Sequence, residues 1–315
     1  MNPVIDRVYF INQFQAGQLY RDNRPVVCIG GKGVNVAKVL ARLGEACTVY
    51  GFIGGSSGEK VKAETISLGI LQKFIHIDGD TRTTINIIDR DQGVETEILE
   101  AGPAADEEAV GILIGQLNRD IVAGDIVICS GAIIPGAHPS IYQTISKICE
   151  EKRAFCFLDT VGETFHHSLP GRYYFAKPNL REFVEYTGMV FNEFDGEAVK
   201  KSAGKLIDLG LENLMISMGK NGAILLNRTV MLKAGLPVVS NQSSIGSGDA
   251  SVAGFAAGIN RGWGIEESFC LSMACGISNA THREVGLIDL QEVNELKNQI
   301  ELTKMAMENN ALEGP

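Results

Sequence analysis

The stretch Asp125-Ile126-Val127-Ile128-Cys129-Ser130, an amphipathic segment over 138–150, and Ala154-Phe155-Cys156-Phe157-Leu158-Asp159 together decide the fold. Two short apolar runs flanking a helix-period segment predict parallel strands joined by a crossover helix. Unbroken apolar runs also mean strands buried on both faces, hence a sheet covered by helices on each side. The pattern recurs in Asn213-Leu214-Met215-Ile216-Ser217-Met218. Helices expected over 33–43 and 64–68 close on Gly44 and Gly69, residues that adopt the left-handed conformation at helix C-termini without strain. The expected fold class is α/β, a doubly wound and mostly parallel sheet in three layers.

Two segments, 7–27 and 83–100, break the alternation. In the second, Thr84-Ile85-Asn86-Ile87-Ile88-Asp89 and Val94-Glu95-Thr96-Glu97-Ile98-Leu99 flank Arg90-Asp91-Gln92-Gly93, which predicts a β-hairpin with no helix between its strands. A hairpin between βα units suits a lid. The expected organisation is an α/β domain over 28–80 and 103–315, with a discontinuous β lid over 7–27 and 81–102. The polar tail over 306–315 is expected to fray.

At 315 residues and 45% hydrophobic composition, the chain can bury the core of one large domain with a small appendage. A formal charge of −10 argues against a nucleic-acid surface, because phosphate-backbone binding needs a basic face. An anionic substrate must therefore be held by a few placed cations. The 7 cysteines are odd in number and include no Cys-x-x-Cys pair, which fits free thiols in a reducing compartment. The histidines form no His-Glu-x-x-His pattern. With neither a signal peptide nor an apolar run of about 18 residues, a soluble cytoplasmic protein without membrane partners is expected.

The chemistry concentrates in Ser243-Ser244-Ile245-Gly246-Ser247-Gly248-Asp249-Ala250, a glycine-rich turn and an acid opening a small-residue apolar helix. Two glycines let the main chain approach an anion, and first-turn amides with the helix dipole favour negative charge. Beside a phosphate, Asp249 must hold a metal or take a proton from an attacking hydroxyl. The competing reading makes Asp249 a helix cap.

Each remaining motif also has two readings. Gly30-Gly31-Lys32-Gly33-Val34-Asn35 matches neither the dinucleotide nor the Walker pattern. It offers amides, one cation and the Asn35 amide to an oxygen-rich ligand, or is a tight turn with a solvated lysine. Asn179 and Glu182 share a helix face and can organise hydrated magnesium, or form a capping box. Ser217-Met218-Gly219-Lys220-Asn221-Gly222 is a plain hairpin or a nucleotide-phosphate loop. Arg82 suits bidentate phosphate binding or is a surface arginine, and Asp6 can accept from vicinal hydroxyls.

Taken in order, Asn2-Pro3-Val4-Ile5-Asp6, the 30–35 cluster, Thr81-Arg82, Thr96-Glu97-Ile98-Leu99-Glu100-Ala101-Gly102-Pro103, Ser130-Gly131, Leu158-Asp159-Thr160, Lys177-Pro178-Asn179-Leu180-x-Glu182, Ser217-Met218-Gly219 and Gly246-Ser247-Gly248-Asp249 resemble the ribokinase-like PfkB carbohydrate kinases. The set is most similar to the branch of 1-phosphofructokinases and tagatose-6-phosphate kinases, and covers almost the whole chain. This resemblance implies Asp249 as catalytic base, with the amides of Gly246, Ser247 and Gly248 receiving the moving phosphoryl group. It places Lys177, Asn179, Ser217, Gly219, Lys220, Gly222 and Asn279 on the ATP side, with Asn179 and Glu182 acting through magnesium (Mg2+) and its waters. Asp6, Gly31, Asn35 and Ser130 would face the sugar, and Lys32 and Arg82 would bind the phosphate already on it.

The same resemblance implies ATP-dependent phosphorylation of a ketohexose monophosphate to the bisphosphate. It also implies a Rossmann-like three-layer fold, room for a monovalent cation, and a homodimer formed through the lid. The run from Thr96 to Pro103, Gly246-Ser247-Gly248-Asp249-Ala250 and Asn279-Ala280-Thr281-His282-Arg283 look closer to tagatose-6-phosphate kinases than to typical 1-phosphofructokinases. Three departures stand out: Met1 directly precedes Asn2, where the family has an apolar strand; Ala132 replaces a usual serine; Met218 replaces a usual leucine. Alternatives are another PfkB sugar or nucleoside kinase and a catalytically inactive sugar-phosphate sensor. A nicotinamide dehydrogenase lacks its dinucleotide fingerprint.

Overall fold

A computed structural model of the chain describes residues 1–21, 24–189, 196–239 and 243–305; the tail over 306–315 lies outside them. The first part runs β1 (Val4–Phe10), β2 (Val26–Gly30), α1 (Lys32–Arg42), β3 (Thr48–Ile53), α2 (Gly55–Ser67), β4 (Leu71–His76), β5 (Thr83–Asp89) and β6 (Val94–Leu99). The middle comprises α3 (Glu107–Asp120), β7 (Ile126–Ser130), α4 (Ile141–Lys152), β8 (Phe155–Asp159), α5 (Gly162–Ser168), β9 (Tyr173–Ala176), α6 (Leu180–Thr187) and α7 (Gly196–Asp208). The last part is β10 (Leu211–Ser217), β11 (Ala223–Leu226), β12 (Met231–Gly235), α8 (Ser247–Asn260), α9 (Ile265–Thr281), α10 (Leu290–Lys297) and β13 (Glu301–Lys304).

The main sheet has the order β13-β12-β11-β10-β9-β8-β7. It is parallel from β7 to β10 and antiparallel beyond, so the expected mostly parallel sheet holds for the half that carries the crossover helices. Side chains alternate between two cores, as the pleat requires. Leu158, Ala176 and Leu214 join the core under α3 to α7, whereas Phe157, Phe175 and Met215 join the core under α1 and α8 to α10. The result is a three-layer α/β body.

The strands β3 and β4 pair in parallel as a separate sheet. Between β3 and β7 lies a cavity of about 430 Å3, walled by Val49, Tyr50, Leu117, Val127 and Cys129. The Met1 carbonyl accepts from the Phe52 amide at 3.0 Å, near the C-terminal end of β3.

The strands expected to form a lid belong to a four-stranded sheet, β2-β1-β5-β6. The predicted hairpin forms β5 and β6, paired from Thr84 with Leu99 to Asp89 with Val94. In the same sheet, β1 begins at Val4 and β2 continues to Gly30, beyond both ends of the 7–27 segment.

Packing fixes where α8 begins. From Asp249 to Gly258 every residue of this helix is buried, and Gly254 and Gly258 let it approach α9 so closely that a Cβ at either would meet Leu271 or Ser268 within 2.8 Å. Phe255 stacks on Phe175 with ring centroids 4.3 Å apart, an anchor whose truncation to alanine costs about 3–5 kcal/mol.

Candidate active site

One cavity of about 1140 Å3 opens between lid and body, and the N-termini of α1 and α8 meet in it. The α8 turn is set by Gly246, which has φ 79° and no room for a side chain, since a Cβ there would lie 2.5 Å from Val285 Cγ1. Gly246 is the N-cap residue and makes no side-chain cap bond. Asp249 is therefore not a cap. It sits in the first turn, 6% exposed, and accepts from Asn35 Nδ2 at 2.8 Å. Burial pushes its carboxyl up to about 6, opposed by Lys32. Beside Gly248 lies the Lys177 ammonium, 3.1 Å from where a Cβ would be, a cation aimed at the same anion-binding turn.

The α1 terminus is built alike. Gly31 has φ 90° and packs on the Asn2–Pro3 backbone, leaving 3.2 Å for a Cβ. Lys32 reaches Asp159 at 3.3 Å, with 35% of its side chain exposed, and Ser130 Oγ donates to the same carboxylate at 3.1 Å. Burial opposes the Lys32 charge, but Asp159, Asp249 and Glu182 together outweigh it and hold the ammonium above the ordinary lysine range. Conversely, burial opposes ionisation of Asp159, and Lys32 with Lys177 keeps it charged. Thus Lys32 and Ser130 stand in the pocket already engaged by Asp159, a residue the sequence reading quoted without assigning a role. Its position at the C-terminal end of a parallel strand was the available signal.

The lid wall carries Asp6, Arg82, Thr84, Asn86 and Glu97. Burial pushes the Asp6 carboxyl up to about 6, against Lys38 and Arg82. Arg82 donates to the Asn2 carbonyl at 3.2 Å and the Glu100 carbonyl at 3.3 Å. Among the described residues, Asn35 Oδ1, Asn86 Oδ1 and Arg82 Nε are buried without a partner, and their residues all line this one pocket. Unpaired buried polar atoms are costly, so three in one cavity mark a polar ligand's seat. Asn86 escaped the sequence reading although a polar residue in register with Thr84, inside an otherwise apolar strand, announces a polar face.

On the opposite side, Lys177, Asn179, Glu182, Ser217, Gly219, Lys220 and Gly222 line the cavity. The Ser217 amide bonds the Pro178 carbonyl at 3.1 Å, joining the two loops. Gly222 has φ 87°, and a Cβ there would overlap the Ala234 carbonyl. Asn179 and Glu182 form the full capping box, with both bonds at 2.9 Å, so the structural alternative is realised while both residues still face the pocket. Among the described residues no group of three or more His, Cys, Asp or Glu could hold a metal by itself. Magnesium fits this donor set through ATP oxygens and water, its usual mode.

Asn279 requires a correction. It is 1% exposed, and its amide is spent on Ile245 O at 2.8 Å, Ser247 Oγ at 3.3 Å and the Gly286 amide at 2.8 Å. It braces the anion turn from behind rather than lining the cavity, because it closes the buried run of α9 from Leu271 to Asn279.

A family model described as pfkB family carbohydrate kinase matches residues 1–291. The chain is 30% identical over 305 residues to the 1-phosphofructokinase of Bacillus subtilis (strain 168), covering 97% of this chain and 98% of that protein. Among solved structures, a candidate phosphofructokinase from Staphylococcus aureus matches with TM-score 0.80 and 31% identity, over 96% of this chain and 97% of its own. Phosphofructokinase-2 from Escherichia coli, solved in complex with potassium, shares the fold at TM-score 0.86 and 22% identity, over 95% of this chain and 96% of its own. With the anion turn and the polar cavity already in place, these matches settle the family: the chain belongs to the pfkB carbohydrate kinases, which transfer a phosphoryl group to a sugar hydroxyl.

Proposed function

We propose that this kinase phosphorylates a ketohexose monophosphate to the bisphosphate with ATP, as a tagatose-6-phosphate kinase or 1-phosphofructokinase does. The observation that carries the reading is the trio of unpartnered buried atoms, Asn35 Oδ1, Asn86 Oδ1 and Arg82 Nε, on residues that line the same cavity as the anion turn. Hydroxyls satisfy the two amide oxygens. The guanidinium of Arg82 and the ammonium of Lys32 receive the resident phosphate.

Asp249 then faces the acceptor hydroxyl. As that oxygen bonds to the γ-phosphorus, the bond to the bridging oxygen breaks, ADP leaves, and the hydroxyl proton passes to Asp249. A carboxyl near pH 6 is ionised at neutrality and more basic than an ordinary aspartate. Amides of Gly246, Ser247 and Gly248, with Lys177, take the charge of the transferring oxygens. Magnesium would be held through water by Glu182 and Asn179 and would supply further positive charge to the transferring group, and a monovalent cation would be a further ligand.

The lid excludes water by reaching the turn itself, since Glu95 accepts from the Ser244 amide at 3.3 Å and its hydroxyl at 3.1 Å. Its outer strand β6 is exposed throughout, including Val94 and Ile98, and pairing of two lids into a homodimer covers it. A cytoplasmic setting agrees with free thiols at every described cysteine and with no described helix long and apolar enough to cross a membrane.

The test is an ATP-consumption panel with tagatose 6-phosphate, fructose 1-phosphate, fructose 6-phosphate, ribose and adenosine, with products located by phosphorus NMR. A hexose monophosphate should be the best acceptor. Ribose or adenosine as best acceptor overturns the roles of Lys32 and Arg82.

A further inference from the structure

The helix α1 buries a lysine. Lys38 is 1% exposed, one helical turn from Asn35 and on the same face. Its ammonium donates to the Val285 carbonyl and lies 3.4 Å from Glu284 Oε1. The Lys38 stem lies beneath Gly286, 3.2 Å from a Cβ placed there. Burying an ammonium is costly, and no motif in the sequence reading accounts for this one.

Its acceptor belongs to a peptide group held at both ends. The carbonyl of the Val285–Gly286 peptide takes the Lys38 bond, and the N–H of the same peptide donates to Asn279 Oδ1 at 2.8 Å. That contact orients the Asn279 amide so that Nδ2 points at Ile245 O, 2.8 Å away, and at Ser247 Oγ, 3.3 Å away. Val285 Cγ1 also fills the space against Gly246. A charged donor polarises the peptide and strengthens the next hydrogen bond in the chain.

We propose that Lys38 is a positioning residue for phosphoryl transfer: through the Val285–Gly286 peptide and Asn279 it locks the Gly246–Gly248 amides in their anion-receiving arrangement. It touches no substrate. The inference rests on the kinase reading for its kinetic consequence, but the structural consequence stands without it.

Two readouts test it. In Lys38→Met, which keeps the stem and removes the charge, kcat should fall at least 10-fold while KM for ATP and sugar phosphate changes less than about 3-fold. Amide hydrogen exchange on the unliganded protein should speed up at 245–248 and 284–286 and stay unchanged in β7 to β10. The double variant Lys38→Met/Asn279→Ala should lose little more kcat than either single variant, as members of one relay do. Unchanged kcat, unchanged exchange at 245–248, or additive losses each overturn the proposal. If Lys38→Met does not fold, Lys38→Leu, which likewise removes both the charge and the donor, is read identically. Absence of kinase activity in the unmodified protein sinks the functional reading, whereas the exchange experiment still judges Lys38.

Discussion

The Asn35 side-chain amide donates to Asp249 Oδ2 across 2.8 Å, linking the first turns of two helices whose residues lie 214 positions apart. In the proposed reaction the other Asp249 oxygen takes the substrate proton. The bond also leaves Asn35 Oδ1 buried and unpartnered, so on that reading a single amide aims the base and offers a sugar hydroxyl its acceptor.

Asp249→Asn should lower kcat by about 10²–10⁴ and leave the affinity for ATP largely intact, as measured by a coupled assay and calorimetry. Because burial disfavours the charge on this carboxyl, the same variant should melt higher at neutral pH, by roughly 2–4 °C for each kcal/mol relieved. Retained turnover rules out the base assignment.

That gain should depend on pH. Asp249 has a folded pKa raised from 3.8 to about 6, so its contribution to stability is full below the unfolded value and is lost as pH rises through about 6. The melting difference between Asp249→Asn and the unmodified protein should therefore be small near pH 4 and grow until about pH 7. In parallel, kcat/KM should climb on an acid limb centred near pH 6. A flat profile between pH 5 and 7 contradicts both.

Asn86→Val suits the β5 backbone and removes an unpartnered amide oxygen. KM for the sugar phosphate should rise about 10-fold, the cost of one lost hydrogen bond to a buried group, with KM for ATP unchanged. Steady-state kinetics in both substrates decides it, and equal rises in the two KM values count against a sugar-side role.

Much of this was legible in the chain. Unbroken apolar runs revealed the body strands, two runs flanking Arg90-Asp91-Gln92-Gly93 revealed the hairpin from Thr84 to Leu99, and Gly246 to Asp249 announced a helix terminus able to receive an anion. Less legible were pairings. Ser217 to Gly222 read equally as hairpin or phosphate loop, and it is both a hairpin turn and a wall of the cavity. The engagement of Lys32 by Asp159, the brace formed by Asn279 and the buried ammonium of Lys38 join residues with no local signature.

Sequence alone determined the order of elements, the fold class and the identity of the acid at the glycine turn, because burial periodicity and turn chemistry are local properties of the chain. Tertiary structure alone decided which side chains share a cavity, which carboxyls are driven toward neutrality by burial, and which polar atoms lack a partner. Those depend on the packing of segments remote in sequence, and neither spacing nor composition encodes which desolvated group meets which charge.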